Sequence, residues 1–259
     1  MNILLNGICG HMGREVVALG NAGYRGSSVT VGVDAMGSES GGIPLYASPS
    51  DVPVAADFDC IIDFSHHSFA PLLLEFAKER KAPIVVATTG HTKEELDSIY
   101  SAAKEIPVFF SANMSLGVAL LVELAKQAAL AFPEAEIEII EKHHSRKLDA
   151  PSGTALMIAD AICTVRPEAY ANTVRSGHGK RTQEEIGIHA VRMGNVVGEH
   201  EVILATNNQT LTLKHEAHSR ALFAEGAIAA AEFILDKEAG LYNMDSLVSG
   251  RANPVTVIA

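Results

Sequence analysis

Over the first 113 residues, short apolar runs alternate with stretches of helical periodicity. Residues 3–6, 29–33, 60–64, 84–87 and 108–110 are rich in β-branched side chains and nearly continuous in hydrophobicity. That is the pattern of parallel strands buried on both faces. Between them, residues 12–20, 68–80 and 92–105 repeat apolar positions with a helical period, and Thr92 with Glu95 predicts a capping box. Strand, helix and strand in succession predict a doubly wound parallel sheet. A helix over 116–132 then leads to a strand over 137–141 and a helix over 153–165. Residues 186–192, 201–205 and 209–215 read as antiparallel strands joined by Gly194-Asn195 and Asn207-Asn208 turns, followed by a helix over 220–237. The segment 115–221 is therefore expected to be a second, α+β domain on an open mixed or antiparallel sheet, with edges able to pair with other subunits.

Composition narrows the function classes. With 47% hydrophobic and 20% charged residues and no low-complexity tract, the chain reads as an ordinary globular protein. Its net charge of −11 argues against nucleic acid or an anionic membrane surface as the main partner. A small anionic substrate is compatible where the pocket is locally basic. Cys9, Cys60 and Cys163 form no C-x-x-C pair and cannot close a complete disulfide framework, which suits a reducing cytoplasm. The opening MNILLNGICG has no basic leader, and its apolar run stops at Gly7, so neither a signal peptide nor a membrane span is expected there. Eleven histidines raise the question of a metal. No H-E-x-x-H or cysteine–histidine spacing supports one, and no metal is expected.

Two stretches carry chemistry. The first strand ends in Gly7-Ile8-Cys9-Gly10-His11-Met12-Gly13, a glycine-rich turn opening a helix. Glycines there permit the tight turn and bring backbone close to a pyrophosphate at the helix N-terminus. Asp34 closes the second strand, where a carboxylate accepts from adenosine ribose hydroxyls. The parallel sheet is thus of Rossmann type and binds a dinucleotide. Ala87-Thr88-Thr89 and Ser111-Ala112-Asn113-Met114 follow later strands and are expected to flank the nicotinamide half. Ala35 after Asp34 offers no cation to a 2′-phosphate, so NADH is favoured, with NADPH as the alternative if His11 or Arg14 reaches that phosphate.

The second stretch is EKHHSRKLDAPSGTA over 141–155. His143, His144, Arg146 and Lys147 run into Ser152-Gly153-Thr154, which has the character of a helix start. Unpaired N–H groups at a helix N-terminus hold anions, and histidine and lysine beside them can exchange protons near neutral pH. On a strand His143 and His144 would face opposite sides. Other readings are a different two-domain dehydrogenase acting on a small anionic substrate, and a non-catalytic NADH sensor. A sensor would need a recognition helix or a basic surface, which the acidic composition does not offer.

These motifs, with SANMSLGV at 111–118, GIHAVRMGNVVGEHEV at 187–202 and HSRALFAEGAIAAAEFI at 218–234, closely resemble the 4-hydroxy-tetrahydrodipicolinate reductase (dihydrodipicolinate reductase) family. The resemblance spans nearly the whole chain, and HH-x-x-K-x-DAPSGTA is its most specific part. Ala87 stands where the family usually has Gly, His91 where an apolar or aromatic residue is common, and Ala35 where NADPH users place Arg. The resemblance implies a nicotinamide domain from 1–114 and 222–259, a substrate and tetramerisation domain from 115–221, and a homotetramer. It implies hydride transfer to C4 of a cyclic dicarboxylate with loss of water, in lysine and diaminopimelate biosynthesis. Carried over by position, His143 exchanges the proton and Lys147 is a second donor. His144, Ser152, Gly153 and Thr154 hold substrate carboxylate.

Overall fold

The computed structural model describes residues 1–36 and 41–250. In chain order it has β1 (Asn2–Asn6), α1 (His11–Asn21), β2 (Ser28–Val33), β3 (Leu45–Tyr46), β4 (Cys60–Asp63), α2 (Ala70–Arg80), β5 (Ile84–Val86), α3 (Lys93–Ala102) and β6 (Pro107–Phe110). There follow α4 (Leu116–Ala131), β7 (Glu136–His143), α5 (Gly153–Val165), β8 (Tyr170–Asn172), β9 (Glu185–Arg192), β10 (Gly198–Ala205) and β11 (Thr210–Ala217). The last elements are α6 (Ala221–Ile234), β12 (Gly240–Tyr242) and α7 (Met244–Ser249). They divide into two compact units, one from Met1–Leu116 with the chain from Ala221 onward, the other Gly117–Arg220.

The first unit is built on a seven-stranded sheet in the order β12-β6-β5-β4-β1-β2-β3, parallel throughout. Its central strands are buried on both faces: Ile3, Leu4, Leu5, Ile61, Ile62, Ile84, Val85 and Val86 are inaccessible to solvent. This is why their sequences read as continuous apolar runs instead of alternating ones. The strand order reverses between β1 and β4, and at such a reversal the loops after the strands diverge and leave a crevice for ligands. Thr92 caps α3 with the expected reciprocal bonds, Glu95 N–H to Thr92 Oγ1 and Thr92 N–H to Glu95 Oε2. The helix expected from residue 68 begins as a 3₁₀ turn at His67–Phe69, and α2 proper starts at Ala70 with Pro71 in its first turn.

The second unit has a five-stranded mixed sheet, β11-β10-β7-β9-β8. Here the pairing differs from the sequence expectation. β10 and β11 do form an antiparallel hairpin, with Ala205 opposite Thr210. β9 and β10 are not neighbours, because β7 lies between them, parallel to β9 and antiparallel to β10. The Gly194-Asn195 turn therefore carries the chain past the end of β7 and is not a hairpin turn. Its backbone is tied there, with Met193 N–H donating to His143 O and Ser145 N–H to Gly194 O. One face of this sheet packs with α4 and α5 in a core that includes Ile137, Ile139, Ile158, Ile162, Val202 and Leu204. No helix among the described residues is long and apolar enough to cross a membrane.

Candidate active site

The glycine loop between β1 and α1 is shaped by contacts that forbid side chains. Gly7 has φ of 81°, and a Cβ there would stand 2.8 Å from the Phe64 backbone; at Gly13 it would stand 2.2 Å from the Gly7 carbonyl oxygen. Helix α1 takes Gly10 as its N-cap with no side-chain cap bond, which leaves the N–H groups of its first turn to water or a ligand. Asp34 faces this loop. Its Oδ2 accepts from Cys9 N–H and its Oδ1 from Met36 N–H, both at 3.0 Å. A cavity of about 470 Å³ lies here, lined by Gly7, Gly10, Asp34, Ala35, Ser65 and His66 among others.

Other predicted cofactor residues take different places in this unit. Ile8 is buried and packs on Gly32, so only its backbone is available to a ligand. Met114 is likewise buried, its carbonyl against Gly226. Cys9, His11 and Met12 lie on the loop and the first turn of α1. Ala87 donates its N–H to Asp63 O, and Thr89 and Ala112 are exposed on the loops after β5 and β6. Ser111 Oγ donates to Asn113 O, and Asn113 Oδ1 accepts from Ser115 N–H, which folds the second of these loops on itself. Thr88 Oγ1 lies 3.0 Å from His91 Nε2 and 3.5 Å from Oδ2 of the buried Asp63. Burial pushes the Asp63 carboxyl up, against hydrogen bonds from Ser65 and Asn6.

The basic stretch folds at the end of β7. The strand runs two residues further than its apolar pattern indicates, so Ile137, Ile139, Glu141 and His143 share the buried face. His143 Nδ1 is 2.6 Å from Glu141 Oε2. Arg192 from β9 donates to both oxygens of that carboxylate, at 2.7 and 2.6 Å, and Ser152 N–H donates to Oε1 at 2.9 Å. Ser152 is the N-cap of α5, its hydroxyl accepting from Ala155 N–H and lying 2.9 Å from His200 Nε2. Burial is the strongest influence on Glu141 and raises its pKa. Bonds from Arg192, His143 and the Ser152 amide outweigh it and leave the carboxyl below its usual range. Burial, helped by the neighbouring His143, pulls His200 down to about 4, so it is neutral at physiological pH.

The signature residues divide between this core and its rim. Lys147 Nζ pairs with Asp149 at 2.9 Å, and Arg146 donates to Asn195 Oδ1. Burial lowers the His144 pKa, and the cations of Arg146, Arg220 and Lys147 add to the effect. Ser152 is buried with both its amide and its hydroxyl engaged by protein, so it serves the helix start as a cap. Gly153 and Thr154 are more accessible, and a Cβ on Gly153 would stand in open space. Among the described residues no group of three or more His, Cys, Asp or Glu is arranged to hold a metal ion.

Comparison with known proteins decides the family. Two family models, dihydrodipicolinate reductase N-terminus and dihydrodipicolinate reductase C-terminus, match residues 1–114 and 117–248. The chain belongs to the dihydrodipicolinate reductase family. A 4-hydroxy-tetrahydrodipicolinate reductase from Caldanaerobacter subterraneus subsp. tengcongensis is 45% identical, covering 96% of this chain and 98% of the relative. One from Clostridium novyi is 41% identical with the same coverage. A solved structure of a dipicolinate-bound dihydrodipicolinate reductase from Paenisporosarcina sp. TG-14 shares the fold, with a TM-score of 0.80 and 23% identity over 94% of this chain and 97% of that one. The chain is accordingly an oxidoreductase that uses a nicotinamide cofactor. Sequence reasoning on this reductase family member does not single out Glu141, Arg192 or His200. The available signal is a carboxylate and an imidazole at 141 and 143, in register with the core-facing Ile137 and Ile139.

Proposed function

We propose that the chain reduces 4-hydroxy-tetrahydrodipicolinate to tetrahydrodipicolinate with loss of water, in lysine and diaminopimelate biosynthesis. One observation carries the reading beyond family membership: His143 and the N-terminus of α5 are joined through a single buried carboxylate, Glu141. That link supports a proton-exchanging ring acting beside a site suited to a carboxylate.

Gly7, Gly10 and Gly13 clear the backbone for a pyrophosphate on the first turn of α1, and Asp34 takes the ribose hydroxyls. When bound, the nicotinamide supplies the hydride. The reduction sends electron density toward the ring nitrogen and needs one proton in addition to hydride. His143 gives that proton, and Lys147, held by Asp149, is a second donor. His144, Gly153 and Thr154 orient the substrate carboxylates, with Ser152 fixing the helix start that presents them. NADH is the preferred cofactor, because Asp34 and Ala35 present a carboxylate and no cation to the ribose. The working form is a homotetramer joined through the uncovered sheet face of the second unit. Three free thiols, Cys9, Cys60 and Cys163, suit a reducing cytoplasm.

The test is oxidation of NADH, and separately of NADPH, with the product of a dihydrodipicolinate synthase reaction supplied as substrate. Substrate-dependent oxidation is expected, faster with NADH. No oxidation of either cofactor would overturn the assignment.

A further inference from the structure

Glu141 is the only member of the β7 signature whose side chain is wholly removed from solvent among His143, His144, Lys147 and itself. A carboxylate in that position is costly unless every lone pair is used. Here both oxygens are doubly engaged: Oε1 accepts from Ser152 N–H and Arg192 Nη2, Oε2 from Arg192 Nη1 and His143. An ionised carboxylate only accepts, so the proton of the His143 contact lies on Nδ1 and the reactive nitrogen is Nε2. The surroundings keep that edge of the ring clear. A Cβ on Gly198 would come 3.1 Å from His143 Nε2, so a side chain at that point of β10 would crowd the nitrogen that exchanges the proton.

We propose that Glu141 is a positioning residue for the reduction, holding His143 in its Nδ1–H form and locking that ring to the helix start that receives the substrate. The inference rests on the reading of His143 as proton donor. It assigns Glu141 a role distinct from that of a structural ion pair with Arg192, because the same carboxylate reaches the ring and the Ser152 amide. The carboxylate oxygen stands 2.6 Å from the imidazole Nδ1, where a glutamine would set a neutral amide. Other charged or titratable groups around the ring include Arg192 from β9, bonded to Glu141, His200 from β10 with its ring centroid 5.2 Å away, His144 next along the chain, and Lys147, paired with Asp149. His215 on β11, opposite His200, is a further titratable group nearby. His200 is neutral near pH 7, which leaves Glu141, with Arg192 bonded to it, as the charged pair at the Nδ1 side of the ring.

The experiment is the pH profile of kcat for the whole enzyme and two opposed variants. Glu141→Gln removes the negative charge, so the alkaline limb, where the donor loses its proton, is expected to move to lower pH. At pH 8 kcat should fall roughly tenfold or more, while cofactor KM stays within about twofold. Arg192→Gln removes the competing cation and keeps the carboxylate, so the same limb should move to higher pH. Loss of activity with the limb unmoved in whichever variants fold would mean that Glu141 is structural, and would overturn the proposal. Histidine ¹⁵N NMR of the unmutated protein decides the matter independently of folding in the variants. A proton on Nδ1 of His143 is expected, and a bare Nδ1 with the proton on Nε2 overturns it. His143→Gln, measured alongside, separates the two readings. Near-normal kcat in that variant removes the proton-donor assignment itself, whereas a large loss there with an unmoved limb in Glu141→Gln removes only the role of Glu141.

Discussion

At the scale of single residues, proton exchange and charge are the properties that substitutions can isolate. His143→Gln and Lys147→Ala should each lower kcat by about 10²-fold while leaving NADH affinity nearly unchanged, because both are proposed to act on the substrate's protons. Steady-state kinetics with a direct NADH titration checks this, and a near-normal kcat in both would remove the acid assignment. Cofactor choice is a second residue-level property. Asp34 meets a 2′-phosphate with repulsion and Ala35 adds no cation, so kcat/KM should be higher with NADH than with NADPH. Ala35→Arg should move the ratio toward NADPH, since a guanidinium pairs bidentately with phosphate. An unmodified enzyme that prefers NADPH would contradict the argument and point to His11 or Arg14. His200 gives a third, thermodynamic prediction. Its folded pKa of about 4 lies below the ordinary 6.5, so the unfolded chain takes up that proton first as pH falls. The associated stability is complete above about pH 6.5 and is lost as pH drops toward 4, by up to ~3 kcal/mol. Glu141, also held low, adds a loss in the same direction below the usual carboxylate range. Thermal melts across pH 4 to 7 should show a flatter profile for His200→Gln than for the parent, and identical profiles would refute the account.

At the scale of elements, the proposed carboxylate site is a helix start and not a single side chain. The first turn of α5 presents its N–H groups beside Thr154, and a charge-assisted hydroxyl bond there contributes about 1.5–3 kcal/mol. Thr154→Val keeps the shape of the residue, and inhibition by 2,6-pyridinedicarboxylate should weaken about tenfold or more. Unchanged inhibition would place the dicarboxylate elsewhere. Elements also show what the sequence makes legible. The parallel strands β1, β2, β4, β5 and β6 announce themselves because burial on both faces leaves nearly continuous apolar runs at their centres. The span of α5 is read correctly because Pro151 and Ser152 mark its start. The order of strands in the second sheet is not legible. β9 and β10 have the local patterns of hairpin partners, and only the competition of both for β7 separates them. The two- and three-residue strands β3, β8 and β12 pass unnoticed because LY, YAN and GLY lack the β-branched apolar run that marks the equally short β5. Within the site the basic run is legible and Glu141 is not. A glutamate in a strand reads as a solvent-facing residue until His143 and Arg192 are seen to close on it.

At the scale of the whole molecule, the second unit leaves one sheet face without a helix. On the covered face Ile137 and Ile139 of β7 and Val202 and Leu204 of β10 are buried. The alternate positions, Glu138, Ile140 and Lys142 on β7 and Glu201 and Ile203 on β10, remain partly exposed in the single chain. Two of these polar groups are already paired in the sheet: Lys142, with Lys214, reaches Glu199, and Arg181 and His189 reach Glu138. A face that pairs most of its own charges and sets isoleucines between them can be covered by another copy with few ions stranded, which a net charge of −11 would otherwise oppose. The proposed tetramer should therefore depend on the apolar positions of this face. Sedimentation should give a mass about four times the 27.4 kDa chain. Ile140→Glu, which adds a carboxylate directly opposite Glu201 in the β7–β10 register, should lower that mass by blocking face-to-face association. The helix-covered core does not include this position, so far-ultraviolet circular dichroism should be nearly unchanged. A parent enzyme that sediments as a single chain, or a variant that keeps the full mass, would show that the uncovered face is not the assembly surface.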